Sequence, residues 1–358
     1  MPLFGPNIEK MRASEDTSGL LAVLSKHSDP GMRQQAADAL AALQTDAALE
    51  GLVRLLHEED AEAIRLAAQT LARCDGLHVA QALWTGAVYP EQAHEAVVWL
   101  VAQIGPQAQP SLLAVLEAGK PYGLVMLAAR CLEQVGDARA VEPLALAIDA
   151  WRRKLKLMPG VPEAADTALL ALRARGVPIE PRAAVMWGAH MNRWDVIEEQ
   201  GAQAAGPLLA FLISSGLPLG PQAAALLARH PAPGAEDYLR DRLRSGAPDE
   251  IRQALLALGG LGAASAVQAI LGLVSPALNA AVSAALAAIL GASAAQVSDE
   301  DLRAISGLQD ESTSTRRERV VSVLGETETV EETTVIADFA QARELAQREL
   351  ARRGSRPA

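Results

Sequence analysis

Residues 20–40 read LLAVLSKHSDPGMRQQAADAL, and this stretch contains one complete structural repeat. Leu20 to Leu24 predict a short helix, Asp29-Pro30-Gly31 a turn, and Arg33 to Leu40 a second helix. The same design returns around Leu52 to Leu56, where Asp60 and Leu71 each fall 31 residues after Asp29 and Leu40. Self-similarity at this period is typical of a solenoid, in which stacked helix pairs bury one another's apolar faces.

The composition agrees with helices and disfavours a sheet. Half of the 358 residues are hydrophobic but only 3% are aromatic. Alanine and leucine, which favour helices and close contact between them, make up most of the apolar residues. The formal net charge is -11, from 43 acidic and 32 basic residues. Because binding to a phosphate backbone needs clustered positive charge, this balance argues against nucleic acid as the main partner.

Three stretches carry a resemblance to a known family. Arg33 follows the Asp29-Pro30 turn and leads into Ala36-Ala37-Asp38-Ala39-Leu40; the stretches Gly136 to Leu144 and Trp194 to Leu209 agree with this pattern. The chain resembles the HEAT-repeat superfamily, in particular the short repeats named after phycobilisome lyases. The resemblance implies an all-α fold, a right-handed α-solenoid of about eight or nine HEAT-like helix pairs. It also implies that arginine and aspartate at the turns tie neighbouring repeats together and form no site.

The chain divides into three predicted segments. Residues 1–17 form a lead-in helix, residues 18–291 the HEAT-like solenoid, and residues 292–358 an acidic C-terminal segment without a repeat pattern. Val335, Phe339, Ala342, Ala346 and Leu350 recur at helical spacing near the end of that segment. We therefore expect an amphipathic helix over residues 335–352, which could cap the array.

The stretch from Gln253 to Ser298 contains no charged residue. A membrane hairpin is disfavoured, because glycine and proline cut the stretch into pieces too short to span a bilayer. The pattern instead predicts two helices, Ala263 to Val274 and Ala277 to Leu290, that are buried nearly all round. Their cover would be the C-terminal helix, a second copy of the chain or a partner. The alternative is that alanine-rich helices are small enough to be covered by their own neighbours.

A basic helix end is the first candidate binding site. Trp151 precedes three consecutive cations, an arrangement that could grip an acidic partner or a phosphate. The alternative interpretation is a solvated helix end with Trp151 packed inward.

Trp187 and Trp194 form the second candidate, with His190 between them and Asp195 directly after. They are seven positions apart, which would place them near one face of an unbroken helix, although Gly188 and Asn192 disfavour such a helix. HEAT-like alkylpurine DNA glycosylases use aromatic residues and an aspartate on a concave surface, but the acidic charge of this chain argues against duplex binding. The alternative is that both tryptophans pack inside a degenerate repeat. The candidate partner-binding residues are therefore Trp151, Arg152, Arg153, Lys154, Trp187 and Trp194.

Motifs for catalysis or cofactor binding are absent from the sequence. None of the six histidines has a second histidine or a cysteine three or four positions later, and no phosphate-binding or nucleophile-elbow motif occurs. Cys74 and Cys131 show no metal-binding spacing, and Cys74 is interpreted as a buried structural thiol in a reduced, cytoplasmic protein. We expect no catalytic residue, no metal and no cofactor.

The sequence thus predicts a non-enzymatic scaffold or adaptor that presents a solenoid surface to one or more proteins. Nucleic acid and membrane are not expected as partners. Two alternatives stay open: a subunit of a bilin-lyase-like or other enzyme complex, and a structural homo-oligomer, such as a homodimer, joined through residues 253–298.

Overall fold

A computed structural model describes residues 6–85, 88–154, 160–321 and 326–354, with the backbone alone at residue 154 and at residues 311–337. The chain forms two compact units, Met1–Arg193 and Trp194–Ala358. Each is built of consecutive short helices, as the repeat pattern predicts.

The first unit contains twelve helices in its described residues. They are α1 (Ile8–Ala13), α2 (Thr17–Lys26), α3 (Pro30–Leu43), α4 (Asp46–Leu55), α5 (Ala61–Leu71), α6 (Gly76–Ala82), α7 (His94–Ile104), α8 (Gln109–Ala118), α9 (Tyr122–Val135), α10 (Ala138–Lys154), α11 (Gly160–Ala174) and α12 (Pro181–Met191).

Aspartate side chains start several of these helices. Asp29 Oδ1 accepts a hydrogen bond from the Gly31 amide at 2.9 Å, and Asp60 Oδ1 accepts one from the Glu62 amide at the same distance. Such caps satisfy amide groups that have no partner within the helix. Pro30 occupies the first helical position, where its missing N–H costs nothing. The Asp-Pro turn noted in the sequence is therefore a helix start.

The helices of the first unit form two rows. In the odd-numbered row, α3, α5, α7, α9 and α11 each contact the next member. In the other row, α2 contacts α4 and α4 contacts α6, and further along α8 contacts α10 and α10 contacts α12. The core lies between the rows and consists mostly of fully buried leucine and alanine, such as Leu40, Ala67 and Leu71. This two-row stacking is the solenoid architecture predicted from the repeats.

The second unit continues the same design. Its helices are α13 (Trp194–Glu199), α14 (Ala205–Ser215), α15 (Pro221–Arg229), α16 (Ala235–Ser245), α17 (Pro248–Leu261), α18 (Val267–Leu271), α19 (Asn279–Ser293), α20 (Asp299–Ser306) and α21 (Ala340–Gly354). One row runs α15, α17, α19 and α21, and the other runs α16, α18 and α20.

A β-hairpin near the C-terminus is a feature that the sequence analysis did not predict. Strand β1 (Glu311–Val321) pairs antiparallel with β2 (Glu326–Ala337). Threonine and valine recur in β2, and such β-branched residues favour extended backbone. The predicted C-terminal helix accordingly begins at Ala340, because Val335, its expected first turn, belongs to β2.

The charge-free stretch is less enclosed than we expected. Helix α18 is short, and α19 buries Val282, Leu286 and Leu290 while its positions 280, 284 and 288 are exposed alanines. The expectation of burial nearly all round is therefore wrong, because alanine can face solvent at little cost in exposed apolar area. Helix α21 packs on α19 and α20, with Phe339, Ala342 and Ala346 buried.

One stretch of the described chain has the length and composition of a membrane span. It covers residues 279–296, has a mean hydropathy of 1.3, and is 39% buried. A core helix passes the same test, so the expectation of no membrane partner stays a prediction.

Candidate functional site

The turn residues tie successive repeats together, as the family resemblance implied. Arg33 donates from Nε to the Leu24 carbonyl at 2.6 Å and from a terminal nitrogen to Asp60 Oδ2 at 2.9 Å. Asp60 itself caps α5, so a single guanidinium joins the end of α2 to the start of the next repeat's second helix. This confirms the structural interpretation of the turn arginine and aspartate.

Trp187 lies in the core of the first unit. Its side chain is fully buried in α12, and its Nε1 donates to Asp166 Oδ1 at 2.6 Å. Asp166, on α11, also accepts hydrogen bonds from Arg193 at 2.7 and 3.2 Å. Trp187 therefore has the packing role that the sequence analysis offered as its alternative to binding.

Trp194 does not share a helix with Trp187. Helix α12 ends at Met191, and Asn192 has a left-handed backbone with φ of 57°. Trp194 opens α13, the first helix of the second unit, and is half-buried there. The two tryptophans are thus held by separate helices, as Asn192 suggested.

The predicted basic helix end is partly neutralised. Arg152 contacts Glu163 at 3.3 Å, and Arg153 Nε donates to Asp149 Oδ1 at 2.7 Å. Lys154 ends α10, and its side chain lies outside the described part of the structure. Because both arginines already have carboxylate partners, the helix end offers less free positive charge than the sequence indicates.

Trp151 borders an apolar groove between the two neighbouring helices α8 and α10. The groove has a volume of about 740 Å³. We call it the Trp151 groove, and its lining residues are Leu116, Glu117, Ala118, Gly119, Lys120, Glu142, Pro143, Leu146, Ala147, Asp149, Ala150 and Trp151. Trp151 is half-buried and packs edge-on against Tyr122, with ring centroids 5.2 Å apart. Leu146 is 42% exposed, which is unusual for a leucine in this chain.

The charged side chains of the Trp151 groove are mostly acidic. Asp149 accepts hydrogen bonds from Arg153 and from the largely buried His190, whose Nε2 lies 2.8 Å from Asp149 Oδ1. Glu142 forms an exposed ion pair with Arg182 at 3.2 Å. Three carboxylates thus line the groove, against one ammonium group, that of Lys120.

A smaller groove lies between α5 and α7 in the odd-numbered row. Its volume is about 410 Å³, and Ile64, Ala68, Ala96 and Trp99 are among its lining residues. Trp99 is 43% exposed. We call it the Trp99 groove. Its charges are balanced, because Arg65 pairs with Glu62 on the same helix.

Sequence reasoning found Trp151 but missed Leu146 and Trp99. The buried residues of α10 include Val141, Leu144 and Ile148, at the spacing of a core-facing stripe. Leu146 falls outside that stripe, and this is the signal that could have found it. Trp99 has no comparable signal, because most of α7 is apolar.

The two cysteines do not resemble nucleophiles. Burial raises the pKa of the Cys131 thiol, which has no exposed surface, and burial also raises the pKa of Cys74. A thiol with a raised pKa is largely protonated at neutral pH and reacts slowly. In the described residues no three His, Cys, Asp or Glu side chains come together as a metal site.

Comparison with known proteins identifies the repeats. Residues 10–73 match the family model for HEAT repeats. No curated protein matches the chain. The HEAT-repeat resemblance drawn from the sequence is confirmed, and the chain is an α-solenoid.

Two solved structures show weaker similarity. The karyopherin Kap121p, solved bound to the SUMO protease Ulp1p, is 14% identical with a TM-score of 0.40, and the match covers 85% of this chain and 40% of that one. The complex of CpcE and CpcF of phycocyanin lyase from Nostoc sp. PCC7120 is 20% identical with a TM-score of 0.24, covering 85% of this chain and 96% of that one. TM-scores of this size do not establish a common overall fold.

Proposed function

We propose that this HEAT-repeat protein is a non-enzymatic scaffold that binds another protein through the Trp151 groove. The observation that carries the proposal is the groove itself, an apolar surface of about 740 Å³ with Leu146 42% exposed at its centre. Most other leucines of the first unit are fully buried, for example Leu112 and Leu144. An exposed leucine beside a half-buried tryptophan is the kind of anchor on which protein interfaces depend.

Burial of this surface would supply part of the binding free energy. Covering an exposed leucine side chain contributes about 1 kcal/mol at 25 cal/mol per Å² of apolar area. Trp151 is held by Tyr122, so that its ordering cost is already met before a partner arrives. The groove would act as one anchor among several modest contacts along the helix rows.

The proposal excludes an independent enzyme and places the protein in the cytoplasm. Cys131 is buried with a raised pKa and is a poor nucleophile, and both cysteines are free thiols, as in a reducing compartment. The bilin-lyase-like alternative has a simple test, since pigment would stay bound on purification. Self-association through residues 253–298 is less supported, because α21 already covers part of α19.

A pair of leucine variants tests the scaffold proposal. Leu146→Glu puts a charge into the groove, whereas Leu77→Glu makes the same change at a leucine that is 49% exposed on α6, away from the groove lining. Tagged protein would be purified from cells of its natural source and the associated proteins quantified by mass spectrometry. We expect a discrete set of proteins to be lost with Leu146→Glu and kept with Leu77→Glu. An identical set with both variants would contradict the assignment of the groove.

A further inference from the structure

We propose that the segment seated in the Trp151 groove is a basic amphipathic helix of a partner protein. This inference rests on the proposed function and adds the chemistry of the partner. Its first basis is the shape of the groove, which runs between two packed helices and offers apolar groups as its floor, including Pro143, Leu146 and Ala147. A groove of this kind accepts the apolar stripe of a third helix.

The second basis is the charge of the groove. Glu117 and Lys120 form no ion pair with another described residue, whereas Glu142 and Asp149 have arginine partners. The lining therefore has a formal charge of -2, from three carboxylates and one ammonium group. A free carboxylate beside an apolar floor favours a partner that carries lysine or arginine next to its apolar residues.

The backbone of α8 adds to the negative potential. Its last turn, with Glu117 and Ala118, lines the groove, and the helix ends at Gly119 with φ of 64°. The last carbonyl groups of a helix carry partial negative charge, which attracts cations. Both the side chain of Glu117 and the helix end thus favour a cation at this position of the groove.

Lys120 gives the inference a second, opposite test. It is the one basic residue of the groove lining, and it is exposed. A basic partner is repelled by Lys120 and attracted by Glu117, so removing each charge should change the affinity in opposite directions. An acidic partner reverses both signs.

The experiment uses the full chain and two matched helical peptides, one of leucine and lysine and one of leucine and glutamate. Binding would be measured by fluorescence anisotropy at low and at moderate salt. We expect the lysine peptide to bind the wild type more tightly, with Glu117→Gln weakening it about two- to fivefold and Lys120→Gln strengthening it by a similar factor. Glu50→Gln, at an exposed carboxylate on α4, is the control for net charge and should leave the affinity unchanged.

Two failures are distinguishable. If both peptides bind equally and Leu146→Glu weakens both at least tenfold, the groove is an apolar docking site and the basic character of its partner is wrong. If Leu146→Glu changes neither affinity, the groove binds no helix, and the proposed function falls together with this inference.

Discussion

Replacing Asp166 tests the network that fixes α12 against α11. Asp166 is buried, and its Oδ1 accepts the hydrogen bond of the fully buried Trp187 Nε1 at 2.6 Å. Asp166→Ala would leave that N–H without a partner in the core. Removing one member of a buried pair costs about 1–3 kcal/mol for the unsatisfied group, more where the partner is charged.

The magnitude follows from these contacts. The carboxylate is a charged acceptor, so we expect Asp166→Ala to reduce the free energy of unfolding by about 2–4 kcal/mol. Asp166→Asn keeps an acceptor oxygen and should cost about 1–2 kcal/mol. The ion pair with Arg193 adds little, because that side chain is 39% exposed and screened by solvent.

A double-mutant cycle separates the hydrogen bond from packing. Trp187→Phe removes the donor, so Asp166→Ala should cost about 1–2 kcal/mol less in that background than in the wild type. Urea unfolding followed by circular dichroism gives the free energies, and hydrogen exchange of the α12 amides locates the effect. Additive effects within about 0.5 kcal/mol, or a cost of Asp166→Ala below that value, would refute the reasoning.

Two further predictions concern the second unit. A Cβ at Gly260 would lie 2.6 Å from Ala228 Cβ, so Gly260→Ala should cost about 1–3 kcal/mol in urea unfolding, whereas Gly206→Ala, which meets no atom within 4 Å, should stabilise by about 0.5 kcal/mol; equal effects would contradict the close approach. Hydrogen bonds from the Arg343 guanidinium hold the pKa of Asp310 at about 2, below the usual value near 4. Because the folded pKa is the lower one, this stabilisation is complete above about pH 5 and is lost as the pH falls from there towards 2. The melting temperature of Asp310→Asn should therefore fall less than that of the wild type over this range, and parallel curves would argue against the contact.

The regular part of the fold could be predicted because its signals are local. Asp29 and Pro30 mark a helix start through capping and a fixed φ, and both act within one turn of their own position. The predicted helix Tyr122 to Val135 matches α9 at both ends, because Pro121 and Gly136 mark its limits. Where a helix boundary rests on one or two residues, the sequence is sufficient.

The candidate site was less predictable because exposure depends on neighbouring helices. Arg152 and Arg153 look like free cations in the sequence, but Glu163 lies 11 residues after Arg152 and is brought to it by the next helix. Leu146 looks like one more core leucine, and its exposure follows only from how α10 stacks on α8. The hairpin β1–β2 was missed for another reason, since no helical repeat reports on the pairing of two strands.

The charge-free stretch shows why absence of charge is a weaker signal than periodicity. Charged residues are absent from residues 253–298, yet the outward positions 280, 284 and 288 of α19 are exposed. All three are alanine, whose side chain adds only a methyl group, so that exposing them costs less than exposing a larger apolar side chain. Larger apolar residues of the same helix, Val282 and Leu286, point into the core. A cover is therefore needed only where bulky residues remain, and α21 supplies it by burying Phe339 beside α19.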